Sequence, residues 1–253
     1  MSADPPQFLS FGGGTQSTAM LLMAIDGELD RPDYVVFADT GSEMPHTYEL
    51  VEIMKEKCKE AELEFVTVQA DQPLHEKYLE RGTLPVIGVR SCTSQWKIEP
   101  IKRFMRSIVG MGRRKIIAGS WIGISTDERK RARPSTDQWS SRRYPLLEKE
   151  MSRDDCIHYC EEKLGIQVKK SGCFLCPYQS AQSWGMLKRN HPELFAKSLE
   201  LETKAKTQSG FRGGLWGSSR SIEAFNHTHS LEDFGFEIQV NSEKCAVGGS
   251  CFL

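Results

Sequence analysis

The segment that decides the fold class is Phe8-Leu9-Ser10-Phe11-Gly12-Gly13-Gly14-Thr15-Gln16-Ser17-Thr18. Phe8–Phe11 is a short apolar run of strand length, and Thr18–Ile25 is rich in Ala, Met and Leu, which favour a helix. The three glycines between them let backbone N–H groups approach phosphate oxygens, and the helix N-terminus adds partial positive charge. The alternative is a tight strand–helix turn without a ligand. The segment has neither the G-K-[ST] of a P-loop nor the G-x-G-x-x-G of a dinucleotide fold.

Strands and helices alternate downstream of this segment. Apolar runs predict strands, and apolar residues at helical spacing predict helices, so we expect a parallel sheet covered on both sides. The predicted strands are Tyr34–Ala38, Glu64–Val68 and Lys115–Ala118, and the predicted helices are Tyr48–Ala61 and Lys97–Val109. Asp127–Arg143 is polar and basic and contains Pro134, which predicts a mobile loop.

The C-terminal part reads as helical and rich in cysteine. Ser152 is a suitable N-cap for a helix that runs to about Leu164, and helical segments follow at Ala181–Lys188 and Pro192–Lys206. A cysteine-bearing turn, Lys170–Pro177, lies between them. We therefore expect a nucleotide-binding domain at 1–150 and a helical, cysteine-rich region with a flexible tail at 151–253.

Composition excludes several classes of protein. The 253 residues carry a formal net charge of −1, so the chain as a whole does not attract nucleic acid or an anionic membrane. No apolar stretch approaches 18 residues, and the N-terminus does not resemble a signal peptide. We expect a cytoplasmic protein that has no membrane partner. The eight cysteines then favour metal or redox chemistry over disulfides.

Cys173-Phe174-Leu175-Cys176-Pro177 is a C-x-x-C motif, which occurs in redox sites, zinc sites and iron–sulfur sites. A tetrathiolate site needs two more ligands. Cys92, in a predicted loop, can supply one of them. Cys156 and Cys160 lie four residues apart on one helical face, so either can supply the other.

Asp127 and Glu128 precede a cluster of cations in the predicted loop. These carboxylates could hold Mg²⁺, which makes Asp127 a candidate catalytic residue, and the cations could hold phosphate or a nucleic-acid backbone. The alternative is a solvated charged loop. The cations are Arg129, Lys130, Arg131 and Arg133.

Two of these segments carry a family resemblance. Gly12–Thr18 resembles the pyrophosphate loop, S-G-G-x-D-S, of the ATP pyrophosphatase and sulfonucleotide reductase superfamily. Phe37–Tyr48 resembles the D-T-G-x-x-x-P-E-T-Y segment after the second strand of phosphoadenylyl-sulfate reductases. Gln16 stands where ATP-cleaving members usually carry Asp, so the loop leaves ATP and adenylyl sulfate both open as ligands.

The resemblance implies a doubly wound, mostly parallel sheet with the nucleotide across the carboxyl ends of its strands. It implies that the glycine-loop residues hold phosphate and that the end of the second strand borders adenine and ribose. The implied nucleotide-binding residues are Ser10, Gly12, Gly13, Gly14, Gln16, Ser17, Asp39 and Thr40. A block resembling R-x-D-C and S-x-C-x-x-C-P favours Cys156 over Cys160. The implied ligands of a 4Fe-4S cluster, or of zinc, are Cys92, Cys156, Cys173 and Cys176.

Three functions follow as hypotheses. The leading one is a sulfur-transfer enzyme that uses ATP and Mg²⁺ to adenylate an acceptor, which could be a nucleic acid, before sulfur from a donor protein displaces AMP. The second is a phosphoadenylyl-sulfate or adenylyl-sulfate reductase coupled to a thioredoxin-like reductant. In either enzyme Cys245, in the C-terminal tail, is the candidate catalytic thiol, because Lys244 can lower its pKa. The third is a non-enzymatic, metal-containing module that binds nucleic acid.

Overall fold

The computed structural model describes residues 4–111, 116–217 and 219–226. Five strands pair in parallel in the order β3-β2-β1-β4-β5. They are β1 (Gln7–Phe11), β2 (Tyr34–Asp39), β3 (Glu64–Gln69), β4 (Ala118–Ile122) and β5 (Ser140–Arg143). The strands β2 and β3 are added in turn on one side of β1, and the chain then crosses to the other side of β1, where β4 and β5 follow. This order places a topological switch point between β1 and β4, where open α/β sheets bind ligands at the carboxyl ends of their strands.

Helices cover the sheet and extend beyond it. Their bounds are α1 (Thr15–Ile25), α2 (Pro45–Glu60), α3 (Leu74–Arg81), α4 (Ser91–Thr93), α5 (Glu99–Val109), α6 (Pro145–Glu148), α7 (Arg153–Leu164), α8 (Ala181–Asn190) and α9 (Pro192–Ser209). A π-helical turn, Ser94–Ile98, joins α4 to α5. Short 3₁₀ helices span Thr126–Arg131 and Ile222–Asn226.

Alternating side chains of the strands give the sheet two apolar faces. Leu9 and Phe11 of β1 belong to a core that α1, α2 and α7 cover. Phe8, on the opposite face, packs with Ile101 and Met105 of α5. Helices therefore cover both faces, which confirms the predicted doubly wound α/β class.

A second hydrophobic core joins the helices beyond the sheet. It brings side chains of α3, α8 and α9 together with Trp96 of the π-helical turn and with Phe174 and Leu175 of the cysteine-bearing turn. The helical, cysteine-bearing C-terminal part is therefore present as predicted. However, α7, which follows the predicted domain boundary at residue 150, packs on α1 and belongs to the core of the sheet.

The sequence predicted several elements incorrectly. Asp127–Arg143 is not one irregular loop, because it contains part of a 3₁₀ helix and the edge strand β5. The fourth strand spans Ala118–Ile122 and not Lys115–Ala118; Lys115 lies outside the described residues. Cys92 lies in the helical turn α4 and not in a loop. Across the described ranges, none of the helices has both the length and the apolar character needed to cross a bilayer.

Candidate functional site

The glycine loop turns the chain sharply between β1 and α1. Gly13 has φ +67°, in the left-handed region that favours glycine, and a Cβ at this position would lie 2.8 Å from Cγ2 of Thr47. A Cβ at Gly14 would lie 2.9 Å from Oγ of Ser171. Gly13 therefore needs glycine for its backbone conformation, and at Gly14 any side chain would displace the Ser171 hydroxyl.

Ser17 holds the loop in shape. The amide of Gly12 donates to its Oγ at 3.1 Å, and that of Gly14 donates at 3.4 Å. Ser17 Oγ in turn donates to the carbonyl oxygen of Gly14 at 3.0 Å. The predicted phosphate-binding serine thus closes the first turn of α1 and fixes the backbone of the loop.

Three buried hydroxyl groups around this loop have no hydrogen-bond partner among the described residues. They are Oγ1 of Thr47, Oγ of Ser125 and Oγ of Ser171. Thr47 and Ser171 flank Gly13 and Gly14, and Ser125 lies two residues after Gly123, where a Cβ would lie 3.1 Å from the amide nitrogen of Ser17. A buried hydroxyl without a partner costs about 1–3 kcal/mol, so a ligand that accepts hydrogen bonds would relieve this cost. The group fits an anion such as phosphate.

The side chains of Asp39 and Thr40, at the end of β2, make hydrogen bonds that stabilise the turn following this strand. Asp39 Oδ1 accepts from the amide of Gly41 and from the hydroxyl of Tyr48, both at 2.8 Å, and Oδ2 accepts from Gln69. Burial and the hydrogen bond to Asp39 raise the pKa of Tyr48. The carboxylate of Asp39 therefore fixes the loop that would border the nucleotide.

The cysteine-bearing turn lies against this β2 turn. The amide of Met44 donates to the carbonyl of Gly172 at 2.9 Å, and that of Phe174 donates to the carbonyl of Ser42 at 3.0 Å. Cys173 Sγ lies 3.4 Å from Oγ1 of Thr40. Since Ser171 contacts the glycine loop, the short segment Ser171–Cys173 touches both halves of the predicted nucleotide site.

A buried ion pair, which the sequence did not predict, lies beside Cys173. Lys97 Nζ is 2.9 Å from Oε1 of Glu43, whose side chain has no exposed surface. Cys173 Sγ is 3.5 Å from the same oxygen. Burial raises the pKa of Cys173, the Glu43 carboxylate raises it further, and the Lys97 ammonium opposes both effects. Despite burial, the Glu43 carboxylate beside it raises the pKa of Lys97, so Lys97 stays a cation.

Cys92 and Cys173, two of the four predicted metal ligands, pack against the helical core, and Cys176 follows three residues after Cys173. Burial raises the pKa of Cys92, and the Cys176 thiol, close by, raises it further. Cys176 also acts electrostatically on Cys173 and Lys97. Within the ranges described, no group of three or more His, Cys, Asp or Glu is already arranged to hold a metal ion. A shared metal would therefore require the three thiols to adjust.

Cys156, the fourth predicted ligand, lies elsewhere. It packs with Cys160 in the core between α1 and α7, whereas Cys92 and Cys173 pack against the helical core. Burial raises the pKa of both Cys156 and Cys160 to about 12. The structure therefore does not bring Cys156 to the other three predicted ligands, because the cysteine face of α7 turns towards α1, and the four-cysteine set stays a prediction.

Asp127 caps a helix. Its Oδ2 accepts a hydrogen bond from the amide of Arg153, the first residue of α7, at 2.6 Å. This bond engages one oxygen of the carboxylate, and the catalytic role of Asp127 stays a prediction. The neighbouring Glu128 lies closer to the glycine loop, since Gln16 Nε2 donates to its Oε2 at 3.4 Å. Cys245 lies outside the described residues.

The chain is similar to a known domain family and to known proteins. Residues 6–163 match the model of the phosphoadenosine phosphosulfate reductase domain. An uncharacterised nin region protein of Escherichia phage lambda is 24% identical, over 81% of this chain and 77% of the phage protein. An uncharacterised protein of Methanocaldococcus jannaschii is 26% identical over 76% of this chain, which spans 46% of that protein's length.

Two solved structures are similar at 14% identity. One is a phosphoadenylyl-sulfate reductase from Candida auris in complex with phosphate, with a TM-score of 0.46 over 67% of this chain and 81% of that chain. The other is the U34-tRNA thiolase NcsA from Methanococcus maripaludis with its [4Fe-4S] cluster, with a TM-score of 0.41 over 90% of this chain and 82% of that chain. The family match covers more than half of the sequence, and so the chain belongs to the phosphoadenosine phosphosulfate reductase domain family.

Proposed function

We propose that the protein is an enzyme that activates an acceptor with an adenine nucleotide and then transfers sulfur to it. The observation that carries this proposal is the double contact of the segment Ser171–Cys173. Ser171 packs against Gly14 of the phosphate-binding loop, and Cys173 lies beside Thr40 and the other thiols. A nucleotide phosphate and a sulfur group would therefore meet at one edge of the sheet.

The phosphates of the nucleotide would bind at the glycine loop. The N-terminus of α1 and the hydroxyls of Thr47, Ser125 and Ser171 supply the donors. Mg²⁺ would be held largely by the phosphates themselves, as in many sites with few protein carboxylates. An oxygen of the acceptor would attack the α-phosphorus and release pyrophosphate. A sulfur species from a donor would then displace AMP.

The donor set of Cys92, Cys173 and Cys176 fits a thiolate-bound metal centre, because soft thiolate ligands select iron–sulfur clusters or zinc. A 4Fe-4S cluster bound there would supply sulfur and redox chemistry next to the nucleotide. The Lys97 ammonium would offset the negative charge of thiolates, and Glu43 would hold Lys97 in place.

The second candidate is reduction of an adenylyl sulfate, which the family match favours. In that reaction a thiolate attacks the sulfate sulfur, releases the nucleotide and leaves a thiosulfonate that a dithiol reductant cleaves to sulfite. The catalytic thiol would be Cys245.

Product analysis separates the two reactions. Protein purified without oxygen is incubated either with ATP and Mg²⁺ or with adenylyl sulfates and a thioredoxin, and pyrophosphate, AMP and sulfite are measured. With no acceptor present, water attacks the α-phosphorus in its place, so we expect slow formation of pyrophosphate and AMP from ATP, and none from the Gly13→Asp variant. Gly27→Asp, at another positive-φ glycine that lies in open space, is the matched control. Sulfite formation without ATP turnover would replace the first reaction by the second.

A further inference from the structure

We propose that Glu43 is the fourth protein ligand of the metal centre and that it binds the metal through its Oε2 atom. The proposal rests on the proposed function, which places a thiolate-bound metal on Cys92, Cys173 and Cys176. It deepens that function, because it completes the donor set with a carboxylate from the turn after β2.

The backbone pairs Glu43 directly with Cys173. The two residues form an isolated antiparallel bridge, which the two backbone hydrogen bonds between the β2 turn and the cysteine-bearing turn flank on either side. Glu43 and Cys173 are therefore a non-hydrogen-bonded pair. In such pairs the two side chains lie on the same face, with Cβ atoms about 4.5–5.5 Å apart. A metal held by Cys173 would thus lie within reach of the Glu43 carboxylate.

The two oxygens of this carboxylate have different surroundings. Oε1 accepts a hydrogen bond from the hydroxyl of Thr40 at 3.1 Å, and it lies 2.9 Å from Nζ of Lys97. Sγ of Cys173 is 3.5 Å from the same oxygen. Oε2 is buried too, yet it has no hydrogen-bond partner among the described residues. Burying an acceptor oxygen of a charged group without a partner is unfavourable, and a cation bound to Oε2 would relieve this cost.

The groups around Glu43 select a metal ion as that cation. The Lys97 ammonium already pairs with Oε1, and the neighbouring thiols become thiolates when they bind a metal. Carboxylate oxygens are ligands of zinc, and a non-cysteine side chain replaces thiolates at some iron–sulfur clusters. Carboxylates that bind metals are themselves held by hydrogen bonds, which Thr40 and Lys97 supply at Oε1.

The remaining buried cysteines lie in a different core. Cys58, Cys156 and Cys160 pack in the core of the sheet, whereas Cys92 and Cys173 pack against the helical core. Structural zinc sites and iron–sulfur clusters usually have four protein ligands. Glu43 is a donor that the fold already places beside Cys173, so it can complete the set of three thiols.

Metal retention in a double-variant cycle tests the ligand role. Wild type, Glu43→Gln, Lys97→Met and the double variant are purified without oxygen. Iron, acid-labile sulfide, zinc and the rate of metal release to a chelator are then measured. Changes to the groups behind metal ligands already cost about 10–100-fold in affinity, so loss of a ligand in Glu43→Gln should speed release at least tenfold. Glu99→Gln, which alters an exposed carboxylate at the start of α5, is the matched control and should behave as wild type.

The cycle distinguishes a ligand from a counter-ion. If Glu43 served only to neutralise Lys97, removal of both charges would restore metal retention, because loss of a whole buried ion pair is tolerated better than loss of one member. A ligand role predicts instead that the double variant releases its metal as fast as Glu43→Gln. Wild-type retention in the double variant would therefore overturn the proposal. The double variant leaves neither charge unpaired, so it also decides the question if Glu43→Gln alone does not fold.

A substitution that restores a ligand supplies the positive test. Glu43→His offers an imidazole nitrogen, which binds zinc and some iron–sulfur clusters, but no negative charge. It should release metal about tenfold more slowly than Glu43→Gln, in line with the effect of losing a ligand. It should also change the EPR spectrum of an iron centre or the X-ray absorption spectrum of a zinc centre. Equal release from the two variants would contradict the ligand role, because a counter-ion cannot be replaced by a neutral ring.

The outcomes separate this proposal from the proposed function. Metal release is measured without nucleotide, whereas ATP binding and pyrophosphate release by wild type report on the nucleotide reaction alone. Equal release rates in wild type and Glu43→Gln would overturn the ligand role and leave the metal centre in place. Protein that holds neither iron nor zinc after anaerobic purification would overturn both the ligand role and the metal centre.

Discussion

Cys173 and Thr40 are 133 residues apart in the sequence, yet Sγ of Cys173 lies 3.4 Å from Oγ1 of Thr40. Thr40 follows β2 at the carboxyl edge of the sheet, where the fold places ligands. Cys173 comes from the turn that leads into the helical part of the chain. The contact thus joins a thiol to the edge of the sheet where the nucleotide is proposed to bind.

Gly13→Ala should lose nucleotide binding at a small cost in stability. The left-handed φ of +67° costs an L-residue roughly 1–2 kcal/mol, and the new Cβ would press on Cγ2 of Thr47 and displace the loop. Gly27 has φ +78° and nothing within 4 Å of a built Cβ, so Gly27→Ala carries the same backbone strain without the crowding. Urea unfolding and calorimetric titration with ATP are the measurements. Affinity that falls equally in both variants would mean that strain alone, and not loop shape, controls binding.

Ser171→Ala should raise stability slightly and weaken nucleotide binding. Its buried hydroxyl has no partner among the described residues, so its removal relieves a desolvation cost in the free protein. A hydrogen bond to a charged phosphate is worth about 1.5–3 kcal/mol, so affinity should fall roughly tenfold or more. Ser198 is the control, because its buried hydroxyl donates to the carbonyl of Leu194 at 3.0 Å. Ser198→Ala should lose stability and keep its affinity for the nucleotide.

The sequence predicted the elements whose signal is local. Phe8–Phe11 and Tyr34–Ala38 lie in strands. Each is an apolar run rich in residues that favour strands, and turn residues follow it, which are the three glycines in the first case. The edge strand Ser140–Arg143 carries no apolar alternation and forms by pairing with β4, so its composition gave no signal. Helical spacing showed that Cys156 and Cys160 share a face, but only packing decides that this face meets α1.

Only parts of the candidate functional site could be predicted, because only those parts have a local signal in the sequence. The glycine loop and Thr40 stand in short motifs that a sequence displays. The pair of Glu43 and Lys97 depends on a crossover that brings the π-helical turn under the β2 turn, and no local pattern encodes such a partner. Nor does spacing reveal that Asp127 caps α7, because its acceptor role requires the start of α7 to lie beside the 3₁₀ helix.

Cysteine substitutions should divide into two classes. Cys92→Ala, Cys173→Ala and Cys176→Ala should each lose the iron and acid-labile sulfide of anaerobically purified protein. Cys156→Ala and Cys160→Ala should keep both and lose roughly 1 kcal/mol of stability, because each removes one small buried group. Iron, sulfide and zinc analysis of the five variants is the measurement. Loss of metal from Cys156→Ala would restore the four-cysteine site, and stoichiometric zinc would change the metal but not its ligands.

Glu202 should make the protein sensitive to acid. Its fully buried carboxylate accepts from the amides of Leu215 at 2.8 Å and Ile222 at 3.1 Å, and it pairs with Lys206 at 2.8 Å. It therefore ties the segment after α9 back to that helix.

Although burial raises the pKa of Glu202, these bonds and the one from Ser221 lower it below its ordinary value. A carboxyl with a lowered folded pKa stabilises the fold above its unfolded pKa of about 4.3, and this contribution is lost as pH falls through the folded pKa. Glu202→Gln should thus lower the free energy of unfolding by about 1–3 kcal/mol at pH 7, and the difference from wild type should shrink below about pH 4. Glu200→Gln, exposed on the same helix, should match wild type throughout. Urea unfolding between about pH 3 and pH 7 tests this, and a difference between Glu202→Gln and wild type that stays constant with pH would show that the carboxylate charge does not hold the segment.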